Sequence, residues 1–159
     1  MSTKVEQMDR PDFGILLGLA YQGFTDRLWE ALAAEGFDDL GRAYGYVFRA
    51  LAAEELSQRE LAGRFGISDQ GMAKILGEMR RRRYVERRVD PADARVKRFR
   101  LARRGRNALA VARRFHLADE RRLSARLGAT GVAELRRMLE QVAGVADSAE
   151  AAHARLRPM

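Results

Sequence analysis

The apolar residues of this chain follow helical spacing along most of its length and change to an alternating pattern once, between Tyr84 and Leu101. Apolar positions that recur every three or four residues indicate amphipathic helices, whereas alternation indicates strands. The alternating stretch holds two runs, Tyr84–Val89 and Arg95–Leu101, separated by the turn residues Asp90-Pro91-Ala92-Asp93. We therefore expect a mainly α-helical chain with one small β-hairpin.

Four helices are predicted before the hairpin: from about Asp12 to Ala34, from about Asp39 to Ala53, from Gln58 to Arg64, and from Ser68 to about Arg82. Ser57 and Glu60 have the spacing of a capping box at the start of the third helix. Gly66 interrupts that helix, and Ser68 is a favourable N-cap for the next one. Two short helices joined by a tight turn with a glycine are typical of a helix-turn-helix.

Helical spacing returns after the hairpin. A fifth helix is predicted from about Arg103 to Gly128, and a sixth begins at Thr130. The sixth helix carries a continuous apolar stripe: Leu135, Met138, Leu139, Val142 and Val145. No repeat or low-complexity linker separates these segments, and 159 residues are typical of one domain. We therefore expect a single domain over residues 1–159.

The charge is concentrated in one segment. The whole chain has a formal charge of +8, whereas residues 74–106 contain 14 cations and four anions. Such a run is often only a solvated surface, but here it covers a helix-turn-helix and a hairpin. A strongly basic segment of this kind indicates a polyanionic partner, either nucleic acid or an acidic surface.

Several function classes are disfavoured. The chain has no cysteine, which excludes disulfides, thiol chemistry and Cys-ligated metals. Its two histidines, His116 and His153, are far apart, and no phosphate-binding loop or nucleophile motif occurs. We expect no enzyme, no cofactor and no metal site. No segment is apolar enough for a membrane span, so we expect a cytoplasmic protein without a membrane partner.

The nucleic-acid interpretation has a physical mechanism. The second helix of a helix-turn-helix lies in the major groove, where its N-terminal residues meet base edges. Gln70 can pair with adenine and Lys74 with guanine or phosphate, whereas Asp69 is either an acceptor for cytosine or a favourable anion at a helix N-terminus. The predicted DNA-binding set is Ser57, Gln58, Ser68, Asp69, Gln70, Gly71, Lys74, Arg87, Arg95, Lys97 and Arg98.

The segment from Leu56 to Gly105 resembles the MarR family of winged-helix transcription regulators. The resemblance rests on Leu56–Ala62, Ile67-Ser68, Tyr84–Arg88, the D-P-x-D-x-R wing at Asp90–Arg95, and Gly105 at the start of a long helix. It implies a homodimer on pseudo-palindromic double-stranded DNA, usually a repressor relieved by small, often aromatic, ligands. Asp93 would then brace the wing by ion pairing, and Arg95 would enter the minor groove.

Three residues depart from the family pattern. Arg83 stands where a glycine commonly ends the recognition helix, Ala94 replaces a common second wing arginine, and Ala102 replaces a capping threonine. A left-handed backbone at Arg83 would cost about 1 kcal/mol, which leaves open how this helix ends.

The resemblance divides the chain into a winged helix-turn-helix core over residues 39–101 and dimerisation helices over 11–35 and 102–152. The apolar stripes of these helices favour a dimer, with intramolecular packing as the alternative. An aromatic set is a candidate effector pocket, although such stripes are more often core: Tyr21, Phe24, Trp29, Tyr44, Tyr46 and Phe48. The alternative function is a basic module that binds acidic proteins or membranes without DNA sequence specificity.

Overall fold

The computed structural model describes residues 10–144, which form two compact units, 10–38 and 39–144. The first unit contains helix α1 (Phe13–Ala34), whose N-cap Asp12 accepts a hydrogen bond from the Ile15 N–H at 3.0 Å. Gly36, with φ of 82°, follows the helix end, as the sequence predicted. None of the described helices is long and apolar enough to cross a bilayer.

The second unit is a winged helix. Its elements in chain order are α2 (Tyr44–Ala53), β1 (Leu56–Ser57), α3 (Gln58–Phe65), α4 (Asp69–Arg81), β2 (Val85–Val89), β3 (Lys97–Leu101) and α5 (Arg103–Ala143). The three strands form an antiparallel sheet in the order β1-β3-β2. The mainly α fold with a β-hairpin wing is therefore confirmed.

The core lies where α3 and α4 meet the sheet. Seven large side chains there are less than 2% exposed: Tyr84, Leu56, Leu61, Met72, Leu76, Met79 and Val47. Three of them, Met72, Leu76 and Met79, recur on one side of α4, so the opposite side of this helix faces solvent.

The hairpin register pairs Val85 with Leu101, Arg87 with Phe99, and Val89 with Lys97. Phe99 and Leu101 face the core because strand residues two apart share a face. The short strand β1, which the sequence analysis missed, adds Leu56 opposite Phe99. Two residues are too few to produce a periodic pattern.

The second helix begins at Tyr44, so the prediction that it starts at Asp39 is wrong. The reason is tertiary. The side-chain carboxylate of Asp39 accepts hydrogen bonds from Tyr84 and Arg104. The main-chain carbonyl of Asp39 accepts a hydrogen bond from the Arg82 guanidinium. These contacts hold residue 39 outside the helix.

The strands are also shorter than predicted. Arg95 and Val96 belong to the turn, because their N–H groups donate to the side-chain and main-chain oxygens of Asp93 at 2.9 and 3.0 Å. Tyr84 completes the end of α4 before β2 begins, since its N–H donates to the Met79 carbonyl at 2.8 Å.

The predicted break between the fifth and sixth helices occurs at Gly128, inside α5, where φ is 74° and ψ is 162°. Gly105 allows the first turn of α5 to approach Tyr84 closely, because a Cβ on this residue would collide with the Tyr84 carbonyl oxygen. Ala102 occupies the N-cap of α5 and supplies no side-chain cap.

The proposed domain organisation stays a prediction. This applies to the single domain over 1–159, the core over 39–101 and the dimerisation helices over 11–35 and 102–152. Val145 and the rest of the last segment lie outside the described residues.

Candidate nucleic-acid interface

The start of α4 presents polar residues on its exposed side. The Ser68 hydroxyl accepts a hydrogen bond from the Gly71 N–H at 3.1 Å and caps the helix. Asp69, Gln70 and Lys74 are exposed, and Gln70 and Lys74 lie one turn apart. The Asp69 carboxylate lies in the first turn, where the helix dipole favours an anion.

The capping box at the start of α3 is confirmed. The Ser57 hydroxyl accepts from the Glu60 N–H at 3.2 Å, and a Glu60 carboxylate oxygen accepts from the Ser57 N–H at 2.7 Å. This backbone hydrogen bond lowers the pKa of Glu60. Gln58 donates from Nε2 to the Asp69 carbonyl at 3.1 Å, which ties the beginnings of α3 and α4 together.

The wing loop is held by its two aspartates. Asp90 accepts from the Ala92 N–H at 2.8 Å and pairs with the Arg98 guanidinium. Arg98, followed by the Ala92 N–H, lowers the pKa of Asp90. Asp93 accepts from the Arg95 N–H and makes no ion pair with another described residue. In this structure the ion pair that braces the wing therefore belongs to Asp90, and Asp93 stabilises the turn.

Part of the basic segment is engaged within the protein. Arg98 also donates to the Glu55 carbonyl at 3.0 Å, and Arg100 pairs with Glu86 at 2.5 Å. Lys97 donates to the Ala94 carbonyl at 2.9 Å. Arg98 and Lys97, both predicted DNA contacts, thus have intramolecular partners.

Arg82, Arg104 and Arg106 also donate hydrogen bonds within the protein. The side chains of the remaining eight cations form no hydrogen bond or ion pair with a described residue. They lie on α4 and the turn after it, on the wing, and at the start of α5: Lys74, Arg80, Arg81, Arg83, Arg87, Arg88, Arg95 and Arg103. All are exposed. The helix-turn-helix and the wing therefore carry the cations that remain available for a partner.

The comparisons agree with this geometry. A model of the MarR family matches residues 38–96, from the start of the winged helix to the end of the wing loop. That segment is therefore similar to the MarR family. No curated protein sequence matches the chain.

Solved MarR-family structures share the fold. The repressor CouR, bound to a 23-mer DNA duplex, is 26% identical with a TM-score of 0.64, over 83% of this chain and 92% of CouR. A mutant of MepR from S. aureus, bound to an oligodeoxyribonucleotide, is 17% identical with a TM-score of 0.61, over 84% and 96%. Apo MarR from E. coli is 22% identical with a TM-score of 0.61, over 84% and 98%.

Arg83 shows how helix α4 ends in this chain. Its φ is 61°, the left-handed region, and its N–H donates to the Arg80 carbonyl at 2.9 Å. Together with the bond from Tyr84 to Met79, this is a Schellman motif. Gly36 and Gly66 end α1 and α3 with the same pair of bonds, so an arginine here adopts a conformation that favours glycine.

A polar cluster beside Arg83 was not predicted from the sequence. Arg104 donates two hydrogen bonds to the Asp39 carboxylate, at 3.0 and 3.1 Å, and one to the Arg82 carbonyl at 2.9 Å. The Tyr84 hydroxyl donates to the same carboxylate, and the Arg104 guanidinium lies 4.5 Å from the Tyr84 ring centroid. The cluster fastens the end of α4 to the start of α5, and no motif signals residues so distant in sequence.

The cluster changes two pKa values. Burial and the hydrogen bond to the Asp39 carboxylate raise the pKa of Tyr84 well above its usual range. Burial alone would raise the pKa of Asp39, but the hydrogen bonds from Tyr84 and Arg104 outweigh it, so the net pKa is lowered. Asp39 is therefore ionised at neutral pH.

The predicted aromatic pocket residues have separate environments. Tyr44 and Phe48 are buried, with their ring centroids 5.8 and 5.6 Å from that of Tyr84. Tyr46 packs near Phe65 at 6.4 Å. In the first unit, Tyr21 is exposed, whereas Phe24 and Trp29 are half-buried. Their role as an effector pocket stays a prediction.

A cavity of about 510 Å³ opens elsewhere in the second unit, between α2, β3 and the first turns of α5. Its wall is mainly apolar, from Leu51, Leu101 and Leu109, and its rim carries arginines. Arg113 on this rim makes no hydrogen bond or ion pair with a described residue. Among the described residues, no group of three His, Cys, Asp or Glu side chains is placed to hold a metal ion.

Proposed function

We propose that this chain is a sequence-specific, double-stranded-DNA-binding transcription regulator that acts as a homodimeric repressor. The observation that carries the proposal is that the unpartnered cations of the basic segment lie on α4, on the wing and beside them, with Gln70 exposed on the same helix. The match of residues 38–96 to the MarR family model, and similar structures that contain DNA, support it.

The proposed mechanism of base recognition uses two exposed parts of the winged helix, the start of α4 and the wing loop. The N-terminal half of α4 enters the major groove, where Gln70 can form two hydrogen bonds with adenine and Lys74 can reach guanine or phosphate. Arg95, on the wing loop, enters a neighbouring minor groove, whose negative potential attracts arginine. Arg87 and Arg88 on β2 bind phosphates, which fix position and supply affinity.

The decisive experiment is selection of bound duplexes from a random pool, followed by titration at several salt concentrations. We expect enrichment of an inverted repeat with half-sites about 10 base pairs apart. A steep salt dependence without an enriched sequence would contradict the proposal and favour a basic module for acidic partners. Binding to anionic vesicles in preference to DNA would point the same way.

A matched pair of arginines tests the wing. Arg95 and Arg126 are both exposed, but only Arg95 lies on the wing loop. We expect Arg95→Ala to weaken operator binding 5- to 100-fold, about 1–3 kcal/mol, and Arg126→Ala to leave it nearly unchanged. Equal losses in the titration would overturn the wing assignment.

The homodimer is proposed because large apolar side chains are exposed on α1 and on the second half of α5. On α1, large apolar side chains are 37–64% exposed: Phe13, Ile15, Leu16, Leu17, Leu19 and Tyr21. On the second half of α5, four more are 45–63% exposed: Leu127, Met138, Leu139 and Val142. Two helix segments with this many exposed apolar side chains are typical of surfaces that a partner subunit covers.

The cavity beside α5 supports an effector. Its volume is within the range of small-molecule sites, and its apolar wall with an arginine rim suits an aromatic or apolar carboxylate. We expect such a compound to raise the melting temperature and to release DNA, and Arg113→Gln to weaken both effects. Release without dependence on Arg113 would place the effector site elsewhere.

A further inference from the structure

A groove of about 730 Å³ lies between the last turn of α4 and strand β2. We call it the arginine groove, and its lining is Gly77, Arg80, Arg81, Arg83, Val85, Glu86, Arg87 and Ala102. Its carboxylate, Glu86, already pairs with Arg100 at 2.5 Å. The side chains of its four arginines make no hydrogen bond or ion pair with a described residue, so the groove carries a large uncompensated positive charge.

The groove is continuous with the predicted base-reading surface. Positions 70, 74, 77 and 81 of α4 are spaced by three or four residues and therefore share one face of the helix. At 1.5 Å per residue, Arg81 lies about 16 Å from Gln70 along that face. Gly77 lies between them without a side chain, and a Cβ built there would meet nothing within 4 Å. A polyanion that contacts Gln70 and Lys74 can therefore continue along the helix to the groove.

Arg83 gives independent support. Arg83 has a left-handed backbone. The two other helix ends that have the same pair of hydrogen bonds use glycine at this position, Gly36 and Gly66. This conformation is unfavourable for arginine, and Arg83 adopts it where its side chain is exposed beside Arg80 and Arg87. Persistent backbone strain of this kind is common at binding sites.

We propose that the arginine groove binds backbone phosphates of DNA outside the half-site that the start of α4 reads, and so lengthens the footprint of each subunit. The inference rests on the proposed function. The groove is lined by the last turn of α4 and by β2, so a phosphate backbone that follows α4 can reach it. Arginine's planar fork donates two parallel hydrogen bonds to phosphate oxygens, so several arginines in a row fit successive phosphates.

The test compares binding to two duplexes that carry the selected operator. The cut duplex stops at the outer ends of the two half-sites, and the flanked duplex continues beyond them with base pairs of arbitrary sequence. The variant is the triple substitution Arg80→Gln, Arg81→Gln and Arg83→Gly, which keeps α4 and its cap favourable. The control removes the same charge at exposed, unpartnered arginines elsewhere: Arg42→Gln, Arg121→Gln and Arg126→Gln. The oligomeric state and melting temperature of each protein are measured first.

We expect the parent and the control to bind the flanked duplex at least tenfold more tightly than the cut one. The triple variant should bind both duplexes alike and keep its sequence preference. Its salt dependence on the flanked duplex should fall by about 0.9 in the log–log slope for each phosphate contact that is lost.

An unchanged flank effect and slope in the triple variant would overturn the inference while leaving the proposed function standing. A second outcome would also overturn it: inorganic triphosphate binds the parent but not the triple variant, while the flanks strengthen DNA binding equally in both proteins. The groove would then be a site for small anions. If the parent enriches no sequence at all, the proposed function itself fails.

Discussion

At the scale of single residues, Arg83 gives the sharpest stability prediction. Replacing it by glycine relieves the left-handed strain, so we expect the free energy of unfolding to rise by about 1 kcal/mol. The neighbouring Arg81 is the control, since it is the last residue of α4 and has a helical backbone, where glycine is less favourable than arginine. Urea unfolding of Arg83→Gly and Arg81→Gly should therefore give opposite signs. Two losses would show that the Arg83 side chain stabilises the fold.

Asp39 predicts how stability depends on pH. Its pKa is lower in the folded state, so the stability that it contributes is present above the unfolded value near 4 and is lost as the pH falls through the folded value. We expect Asp39→Asn to be less stable than the parent at pH 7, and the two to converge as the pH falls below about 4. Thermal unfolding from pH 7 to pH 2.5 measures this difference. A constant gap would mean that the carboxylate charge is not what holds the cluster together.

At the scale of elements, α5 begins without a side-chain cap. Ala102 has the extended backbone of an N-cap, with φ of −73° and ψ of 170°, but its side chain offers no acceptor to the N–H groups of the first turn. Ala102→Ser supplies one, and we expect a gain of about 0.5–2 kcal/mol in the free energy of unfolding. The same substitution at the exposed, mid-helix Ala125 should cause a small loss. Calorimetry on the two variants compares them, and a gain at both would argue against capping as the cause.

Among the elements, the sequence predicted the helix-turn-helix most accurately. The capping box at Ser57 and the cap at Ser68 are local hydrogen bonds between residues three apart, so neighbouring residues determine them. The start of α2 and the ion pair between Arg98 and Asp90 at the wing were not predicted. Asp39 and Arg98 bind groups that are distant in sequence, and local patterns carry no information about such partners.

At the scale of the whole molecule, the exposed apolar faces predict association. Placing a charge in a buried interface is costly, so we expect Leu19→Glu and Leu139→Glu each to shift the proposed dimer towards monomer. Val89→Glu is the control, because Val89 is 55% exposed and lies on the wing rather than on these helices. Analytical ultracentrifugation across a concentration series measures the shift. A parent that stays monomeric at all concentrations would refute the homodimer.

The sequence by itself determined the succession of helices, the helix-turn-helix, the wing and the concentration of charge, because each depends on residues within a few positions of one another. Only the tertiary structure decided which cations remain available. It paired Arg98 with Asp90 and Arg104 with Asp39, and it left Arg80, Arg81 and Arg83 unpartnered beside β2. The physical reason is that an ion pair depends on distance in space, and the fold brings together carboxylates and guanidinium groups that lie up to 65 positions apart in sequence.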